Sequence, residues 1–298
     1  MGVLGGVYAA VLTPRSNTGD LDEAEFARLL EWLIGKGVDG FAINGATGEF
    51  PRTTEEEFGR LMRVASQVVG SRVPFVAGVG SASVEGCVRL AHTAERAGAE
   101  ALLLPMPWFF RYSQPDLKAF CCAVANAVET PVLLYNLPQF AAGLEPQTST
   151  ELIGECGQIV GIKDSSGSLE TVRLLTERGV TARRLIGNDA VLAAAIEESV
   201  LDGVVSGVAC VLPELIAQLY RVGMRGTACA EFHELAETLA EVVRRLDVLP
   251  TPWGLKMLAE ARGLAPASYP MPLAREREAE RDALLEWFGV NQARLLAQ

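Results

Sequence analysis

The sequence is poor in the side chains on which several common active sites depend. It has only two histidines, His92 and His233, far apart in the chain, so a histidine-based metal site or a Ser-His-Asp triad is poorly supported and we expect both on helix faces. Its six cysteines form no C-x-x-C pair, which argues against a zinc site and a disulfide framework. We therefore expect buried, reduced thiols at Cys87, Cys121, Cys122, Cys156, Cys210 and Cys229.

The sequence also lacks an excess of positive charge and any long hydrophobic run. A net charge of −11 argues against binding to nucleic acid or to an anionic membrane surface. No apolar run approaches the roughly 18 residues that a membrane span needs. Residues 1–6 contain neither a basic segment followed by a long apolar stretch nor the Ser or Thr of a myristoylation signal. These absences predict a cytoplasmic protein with no membrane or nucleic-acid partner.

Lysine is scarce as well, and one lysine stands in an unusual place. Only four of the 26 basic residues are lysines, and Lys163 lies inside the apolar segment 159–167. Burying an ammonium group costs free energy, so lysines are rare in such segments. A desolvated lysine can form an imine with a ketone, which an arginine cannot do. Lys163 is thus a candidate catalytic residue, with the alternative that its side chain extends from a strand end to solvent.

Short apolar segments alternate with helical ones along the first three quarters of the chain. Eight such strand–helix units in about 220 residues are typical of a (β/α)8 TIM barrel, whose strands are buried on both faces. We predict this barrel over residues 1–225 and a C-terminal helical region, residues 226–298, packed on it. The predicted strands occupy residues 7–14, 40–44, 74–80, 101–107, 131–136, 159–167, 183–189 and 203–209.

In such a barrel the strand ends and the loops that follow them form one rim, where active sites lie. Lys163 on the sixth strand would meet Tyr135 at the end of the fifth, and a phenol beside a cationic imine can donate and accept protons. The glycine-rich turn 44–49 would follow the second strand, where its backbone N–H groups could bind a carboxylate. The structural alternatives are that Tyr135 only fills the barrel core and that the turn only caps the next helix.

Taken together, these residues resemble the dihydrodipicolinate synthase / N-acetylneuraminate lyase family of class I, pyruvate-dependent aldolases. The resemblance rests on Lys163, on Tyr135-Asn136 and on the turn Gly45-Ala46-Thr47-Gly48-Glu49. It extends over nearly the whole chain, through the segments Leu12-Thr13-Pro14, Gly203-Val204-Val205-Ser206 and Pro250-Thr251-Pro252 with the later Lys256.

The resemblance implies a role for each of these parts. Lys163 would form the imine, Tyr135 would shuttle protons, and Thr47 would orient Tyr135 and the substrate. The backbone of Gly45, Ala46 and Thr47 would bind the carboxylate of a 2-oxo acid. The family also implies a homotetramer, built as a dimer of dimers, and chemistry that needs no metal or organic cofactor because the imine itself withdraws electrons.

Three departures from the family pattern bear on the substrate. Ala46 replaces the first threonine of the turn, so one hydroxyl of the proton relay is missing. Phe109, or Trp108 beside it, stands where the synthase has a tyrosine that reaches into the neighbouring subunit. The synthase uses an arginine soon after its Tyr-Asn pair to bind the carboxylate of its aldehyde substrate, and Phe140 in that segment cannot replace such a clamp. We therefore predict that this chain is not a dihydrodipicolinate synthase.

The segment Lys163-Asp-Ser-Ser-Gly167 is similar to that of members acting on 2-keto-3-deoxy sugar acids and related 4-hydroxy-2-oxo acids. We predict cleavage of such an acid to pyruvate and an aldehyde, or the reverse condensation. The polar residues Ser165, Asn188, Asp189 and Ser206 would bind substrate hydroxyls, unless they only cap helices, and Phe109 and Phe140 would line the site. Two other functions stay open: a dehydratase that uses the same imine, and a non-catalytic protein that binds 2-oxo acids.

Overall fold

The computed structural model describes residues 4–297, so residues 1–3 and 298, with part of the N-terminal segment and the outer ends of both predicted domains, lie outside it. Within residues 4–297, eight parallel strands close into a barrel in chain order, and β8 pairs with β1. This confirms the predicted (β/α)8 barrel. The strands are β1 (Gly6–Ala10), β2 (Gly40–Ile43), β3 (Phe75–Gly78), β4 (Ala101–Pro105), β5 (Val132–Asn136), β6 (Ile159–Asp164), β7 (Arg183–Ile186) and β8 (Gly203–Ser206).

A helix follows each strand, and three more follow the barrel. None of the described helices is long and apolar enough to cross a membrane. The barrel helices are α1 (Glu23–Gly35), α2 (Glu55–Val69), α3 (Val84–Arg96), α4 (Gln114–Ala125), α5 (Pro146–Glu155), α6 (Glu170–Glu177), α7 (Leu192–Glu197) and α8 (Pro213–Arg225). The C-terminal helices are α9 (Ala230–Leu246), α10 (Trp253–Ala261) and α11 (Arg275–Leu296).

Several strands end earlier than the apolar pattern predicts. Val208 and Ala209, which we expected at the end of the eighth strand, belong to the 3-10 helix Val208–Cys210, and another 3-10 helix, Asp189–Val191, follows β7. Both segments belong to the carboxyl-end rim of the barrel. Val208 and Cys210 are nevertheless buried, so their apolar character reflects burial of the rim rather than extended backbone.

The hydrophobic core has two layers, as a filled barrel requires. The larger layer lies between the strands and the surrounding helices. The smaller one fills the barrel itself, where alternate side chains of the strands point inward. Its buried members are Leu4, Tyr8, Ala10, Ala42, Val76, Ala101, Leu103, Leu133, Tyr135, Leu137, Leu185 and Val205.

The C-terminal helical region packs closely on the barrel. α9 contacts α8, and α10 contacts α9 and α11. Arg262, at the end of α10, forms an ion pair of 3.2 Å with Glu214 of α8, and both side chains are buried. The division into two domains at residues 225 and 226 stays a prediction, because close packing alone does not separate an annex from an independent domain.

The expectation of reduced cysteines throughout is wrong at one pair. Cys122 on α4 and Cys156 at the end of α5 form a disulfide, with Cα atoms 6.2 Å apart. The neighbouring Cys121 points the other way, into the core, and stays free. Sequence spacing could not reveal this pair, because the two cysteines are 34 residues apart and meet only when α4 and α5 lie side by side.

We expect the disulfide to contribute about 3–4 kcal/mol to the free energy of unfolding, because it closes a loop of 34 residues in the unfolded chain. In denaturant without reductant, four of the six cysteines should react with a thiol reagent. Replacing the pair by Cys122→Ser and Cys156→Ser should lower the urea midpoint, whereas Cys229→Ser, at an exposed free cysteine, should leave it unchanged. Six reactive thiols in the unreduced protein would rule the disulfide out.

Candidate active site

A cavity of about 350 Å³ opens at the carboxyl-end rim of the barrel. This volume lies in the usual range for small-molecule sites. Its inner wall comes from the ends of β5, β6 and β8 and from the turns after β2 and β7, and its outer wall from α9, α10 and the segment between them. The inner lining includes Ala46, Thr47, Tyr135, Gln139, Phe140, Lys163, Ser165, Gly187, Asn188 and Asp189, and the outer lining includes Val243, Leu246, Asp247, Pro250, Thr251, Pro252 and Leu255.

Lys163 and Tyr135 face each other in this cavity. Their Cα atoms are direct partners across β5 and β6, so both side chains point to the same face of the sheet. Lys163 is 3% exposed, and its Nζ lies 4.1 Å from the centroid of the Tyr135 ring. Among the described residues no carboxylate forms an ion pair with Lys163. The ammonium is therefore held against an aromatic face, open to the cavity, rather than neutralised by an acid.

The turn after β2 lies beside the Tyr135 hydroxyl. A Cβ added at Gly45 would be 3.9 Å from that oxygen, so the backbone of the turn runs next to the phenol. Ala46 and the buried Thr47 line the cavity. Asn44 and Glu49, at the two ends of the turn, have φ angles of 59° and 56°, a left-handed conformation that non-glycine residues seldom adopt. The turn thus presents its backbone to the same space as Lys163.

Gly187, just after β7, leaves the room that Lys163 and Ser165 occupy. A Cβ at this position would come within 2.2 Å of Ser165 Oγ and 2.7 Å of Lys163 Cε. The hydroxyl of Ser165 is buried and has no hydrogen-bond partner in the part of the chain that the structure describes. Ser165 lines the cavity, so a hydroxyl turned toward a bound ligand would gain the partner whose absence costs free energy in the buried position.

Asp189 places a carboxyl group at the same wall. Its Oδ2 accepts a hydrogen bond of 3.2 Å from the backbone N–H of Val208, while its Oδ1 is buried without a partner. Burial raises the pKa of the Asp189 carboxyl above its usual range, although hydrogen bonds from Ser206 and Val208 and the charge of Lys163 act against that shift. A carboxyl group with a raised pKa can hold a proton and donate it to a substrate oxygen.

The structure does not bring every predicted contact residue to the cavity. Ser206 is fully buried, and its Oγ accepts a hydrogen bond from the N–H of Ala209, so it supports Asp189 rather than lining the cavity. Phe109 is 89% exposed and lies outside the cavity, with Phe110 stacked edge-on against it. Asn188 lines the cavity, but its side-chain oxygen caps the following 3-10 helix by accepting from Ala190.

The charges around the cavity are unevenly distributed. Lys163 is the cation of the lining, whereas Asp189 and Asp247 supply carboxyl groups. No arginine lines the cavity within residues 4–297. In the segment after Tyr135-Asn136, where the synthase pattern has an arginine, Phe140 is 58% exposed and Gln139 donates hydrogen bonds to the carbonyl oxygens of Ser165 and Ser166.

Metal-ligating side chains do not cluster in the part of the chain that the structure describes. No group of three or more His, Cys, Asp or Glu residues there is arranged to hold a metal ion. His92 lies on α3, hydrogen-bonded to Glu95 at 2.8 Å, and His233 lies on an exposed face of α9, so both histidines are on helix faces as predicted.

Sequence reasoning missed the contribution of the C-terminal helices to this site. Residues of α9, α10 and their connection form the outer wall of the cavity, and Leu255 of α10 lies close to Gly207 after β8. The segment Pro250-Thr251-Pro252 with Lys256 was recognised as part of the resemblance, yet nothing in its residue types indicates that it faces a ligand. Gln139 was missed for the same reason.

Comparisons with known proteins agree with this geometry. The model of the Dihydrodipicolinate synthetase family matches residues 3–287 of the chain. A curated relative named 4-hydroxy-tetrahydrodipicolinate synthase, from Bartonella bacilliformis, is 30% identical over 97% of this chain and 99% of its own.

Solved structures show the same fold. The 4-hydroxy-tetrahydrodipicolinate synthase of Methylacidiphilum fumariolicum superposes with a TM-score of 0.88 and 30% identity, covering 98% of both chains. The chloride-inhibited dihydrodipicolinate synthase of Acinetobacter baumannii, complexed with pyruvate, has a TM-score of 0.87 and 26% identity, covering 97% of this chain and 99% of that one. With its barrel, its buried lysine beside a tyrosine and a family match over most of its length, the chain belongs to the dihydrodipicolinate synthetase family of pyruvate-dependent class I aldolases.

Proposed function

We propose that this enzyme cleaves a 2-keto-3-deoxy sugar acid, or a related 4-hydroxy-2-oxo acid, to pyruvate and an aldehyde, or catalyses the reverse condensation. The observation that carries this proposal is the buried Lys163, which faces the cavity beside Tyr135 without an acidic partner. The pyruvate bound in the solved structure from Acinetobacter baumannii supports pyruvate as the product that stays on the lysine.

In the proposed reaction the Lys163 amine attacks the C2 carbonyl of the substrate, and water leaves as the imine forms. Tyr135 moves the protons that this step requires, and the backbone of Gly45, Ala46 and Thr47 binds the carboxylate at C1. Loss of the proton from the C4 hydroxyl then breaks the C3–C4 bond, and the electron pair flows into the protonated imine. The resulting enamine takes a proton at C3, and hydrolysis releases pyruvate.

The polar groups of the cavity support a hydroxylated aldehyde portion. Ser165 Oγ and Asp189 Oδ1 are buried and lack partners among residues 4–297, so each would gain a hydrogen bond by turning toward a substrate hydroxyl. No arginine lines this part of the cavity in residues 4–297, so a second carboxylate on the aldehyde portion would meet Asp189 and Asp247 without a guanidinium to pair with. Phe140 would cover the aldehyde portion at the entrance.

A second candidate activity is 4-hydroxy-tetrahydrodipicolinate synthase, the condensation of pyruvate with aspartate semialdehyde. The names of the similar proteins favour it, since the relative from Bartonella bacilliformis bears that name and is matched over nearly its whole length. The absence of an arginine from the described lining of the cavity argues for the first candidate.

We expect a kcat/KM for uncharged hydroxyaldehydes, with pyruvate as the second substrate, at least about 100-fold above that for aspartate semialdehyde. The carboxylate of the semialdehyde would find no guanidinium in the described cavity lining and would lose a pair of charge-assisted hydrogen bonds. Phe140→Arg, at a half-exposed position of the lining, should raise kcat/KM for the semialdehyde and so lower the ratio of the two kcat/KM values. Phe140→Leu is the matched control and should leave the preference in place. Both reactions are followed by the consumption of pyruvate.

Efficient condensation of aspartate semialdehyde by the wild-type enzyme would instead establish the synthase activity. Product analysis with a keto-deoxy sugar acid separates the remaining alternatives. Free pyruvate indicates a lyase, and an oxo acid that keeps all its carbons indicates the dehydratase. An unchanged sugar acid that nevertheless raises the melting temperature would identify a non-catalytic binding protein.

We also propose that the chain assembles as a homotetramer, a dimer of dimers. Phe109 and Phe110 support this proposal, because two neighbouring phenylalanines that are 89% and 65% exposed are unusual on a monomer surface. Phe109, whose φ is 83°, would then contact the neighbouring subunit rather than the cavity of its own chain. A sedimentation-equilibrium mass near the 31.9 kDa of a single chain would contradict the tetramer. The cytoplasmic location stays a prediction.

A further inference from the structure

A buried ion pair joins the C-terminal helical region to the turn after β2. Lys256 of α10 donates a hydrogen bond to Glu49, the last residue of the turn, and a second one of 2.6 Å to the carbonyl oxygen of Ser268. The two side chains are only 4% and 8% exposed, and they lie 207 residues apart in the sequence. Lys163 and Lys256 are thus both buried, but among the carboxylates of residues 4–297 Lys256 has a partner and Lys163 has none.

The stability of the fold does not by itself explain why an ion pair is buried here. Removing two charges from water costs much of what their attraction returns, so a buried ion pair is weak support for the fold. Burial lowers the pKa of the Lys256 ammonium, and the Glu49 carboxylate opposes that shift. Without Glu49, a charged Lys256 would therefore be unfavourable at this place, and the two residues act as a unit.

The backbone of the turn after β2 indicates which conformation the Lys256–Glu49 ion pair stabilises. Asn44 and Glu49 both adopt left-handed φ angles, 59° and 56°, which are unfavourable for non-glycine residues and persist only when their surroundings fix them. The side chain of each residue is anchored: the Asn44 amide donates to the Gly78 carbonyl at 2.8 Å, and Glu49 accepts from Lys256. Ala46 and Thr47, whose backbone is the proposed cradle for the substrate carboxylate, lie between these two anchors.

α10 also approaches the turn through Leu255, the residue next to Lys256. A Cβ added at Gly207 would be 3.0 Å from Leu255 Cδ1 and 3.4 Å from Thr47 Oγ1, so Leu255 and Thr47 approach the same backbone from opposite elements. Leu255 and Thr47 both line the cavity. The C-terminal helical region therefore contacts the turn at its last residue, Glu49, while Leu255 and Thr47 both lie close to Gly207.

We propose that Lys256 and Glu49 are positioning residues: the C-terminal helical region, through this ion pair, fixes the turn in the conformation that binds the carboxylate of the 2-oxo acid. Neither side chain touches the reacting atoms. The inference deepens the proposed function and rests on it, because it assigns the carboxylate of the substrate to the Ala46–Thr47 backbone. The pair should control how tightly pyruvate binds and not how fast the bound imine forms.

The test measures pyruvate-dependent trapping by borohydride, which needs no knowledge of the aldehyde. The double variant Glu49→Gln and Lys256→Met removes both charges, so no unpaired charge is left buried. We expect the pyruvate concentration for half-maximal trapping to rise by about tenfold or more, while the maximal trapping rate changes by less than about threefold. Arg52, which also pairs with Glu49 at 3.0 Å, is partly exposed and can turn to solvent.

The matched control removes the other buried ion pair of α10. Arg262 and Glu214 are 8% and 9% exposed and join the same helix to α8, away from the turn. Glu214→Gln with Arg262→Met should leave half-maximal trapping at the wild-type pyruvate concentration. If both double variants weaken pyruvate binding equally, the effect is a general loosening of the C-terminal region, and the inference is overturned.

The other outcomes are equally decisive. A folded Glu49→Gln and Lys256→Met variant with wild-type half-saturation would make the pair merely structural. A variant that fails to fold, judged by circular dichroism, would make the pair a determinant of folding, which the inference denies. Loss of the maximal trapping rate would place the effect on the imine step. Absence of trapping in the wild-type enzyme would overturn the proposed function itself, a result distinct from all of these.

Discussion

The free energy cost of burying a charged lysine is the constraint around which this site is built. Two lysines are buried at the carboxyl end of the barrel, and the chain treats them differently. Lys256 is paired with Glu49. Lys163 is left with an aromatic ring on one side and the cavity on the other, because the register of β5 and β6 makes Tyr135 its direct partner. An amine placed in this way can reach a ketone bound in the cavity and, once it has lost its proton, form an imine with it.

The closed parallel barrel makes this arrangement possible. The carboxyl ends of all eight strands lie at the same rim. Tyr135, Lys163 and the turn after β2 therefore lie close together although they are far apart in the sequence. Gly187 supplies the remaining requirement, since any side chain there would occupy the space of Lys163 and Ser165. The C-terminal helices then cover the outer side of the cavity and shield its polar groups from bulk water. This shielding strengthens the electrostatic interactions inside the cavity.

The barrel, the strand order and the positions of Lys163 and Tyr135 could be predicted from the sequence. They depend on local apolar segments and on a fold whose eight strands pair in chain order. It did not allow the Cys122–Cys156 disulfide or the Glu49–Lys256 ion pair to be predicted, because each joins residues that are far apart in the chain and meet only through helix packing.

Side-chain direction set another limit. Ser206 ends β8 and Asp189 follows β7, and residue type alone does not tell that Asp189 lines the cavity while Ser206 lies behind it. Phe109 lies outside the cavity of its own chain, and residue type does not show whether a loop turns toward its own site or away from it. Strand ends were misplaced where buried 3-10 helices continue the apolar pattern, as at Val208–Cys210.

The most direct measurement is peptide mapping by mass spectrometry after incubation with pyruvate and borohydride, which identifies the lysine that forms the imine. The account predicts one reduced pyruvate adduct per chain, located on Lys163 and absent from a folded Lys163→Ala variant. An adduct on Lys256, or an unmodified wild-type protein, would contradict it, because the unpaired lysine beside Tyr135 would then not be the reactive one.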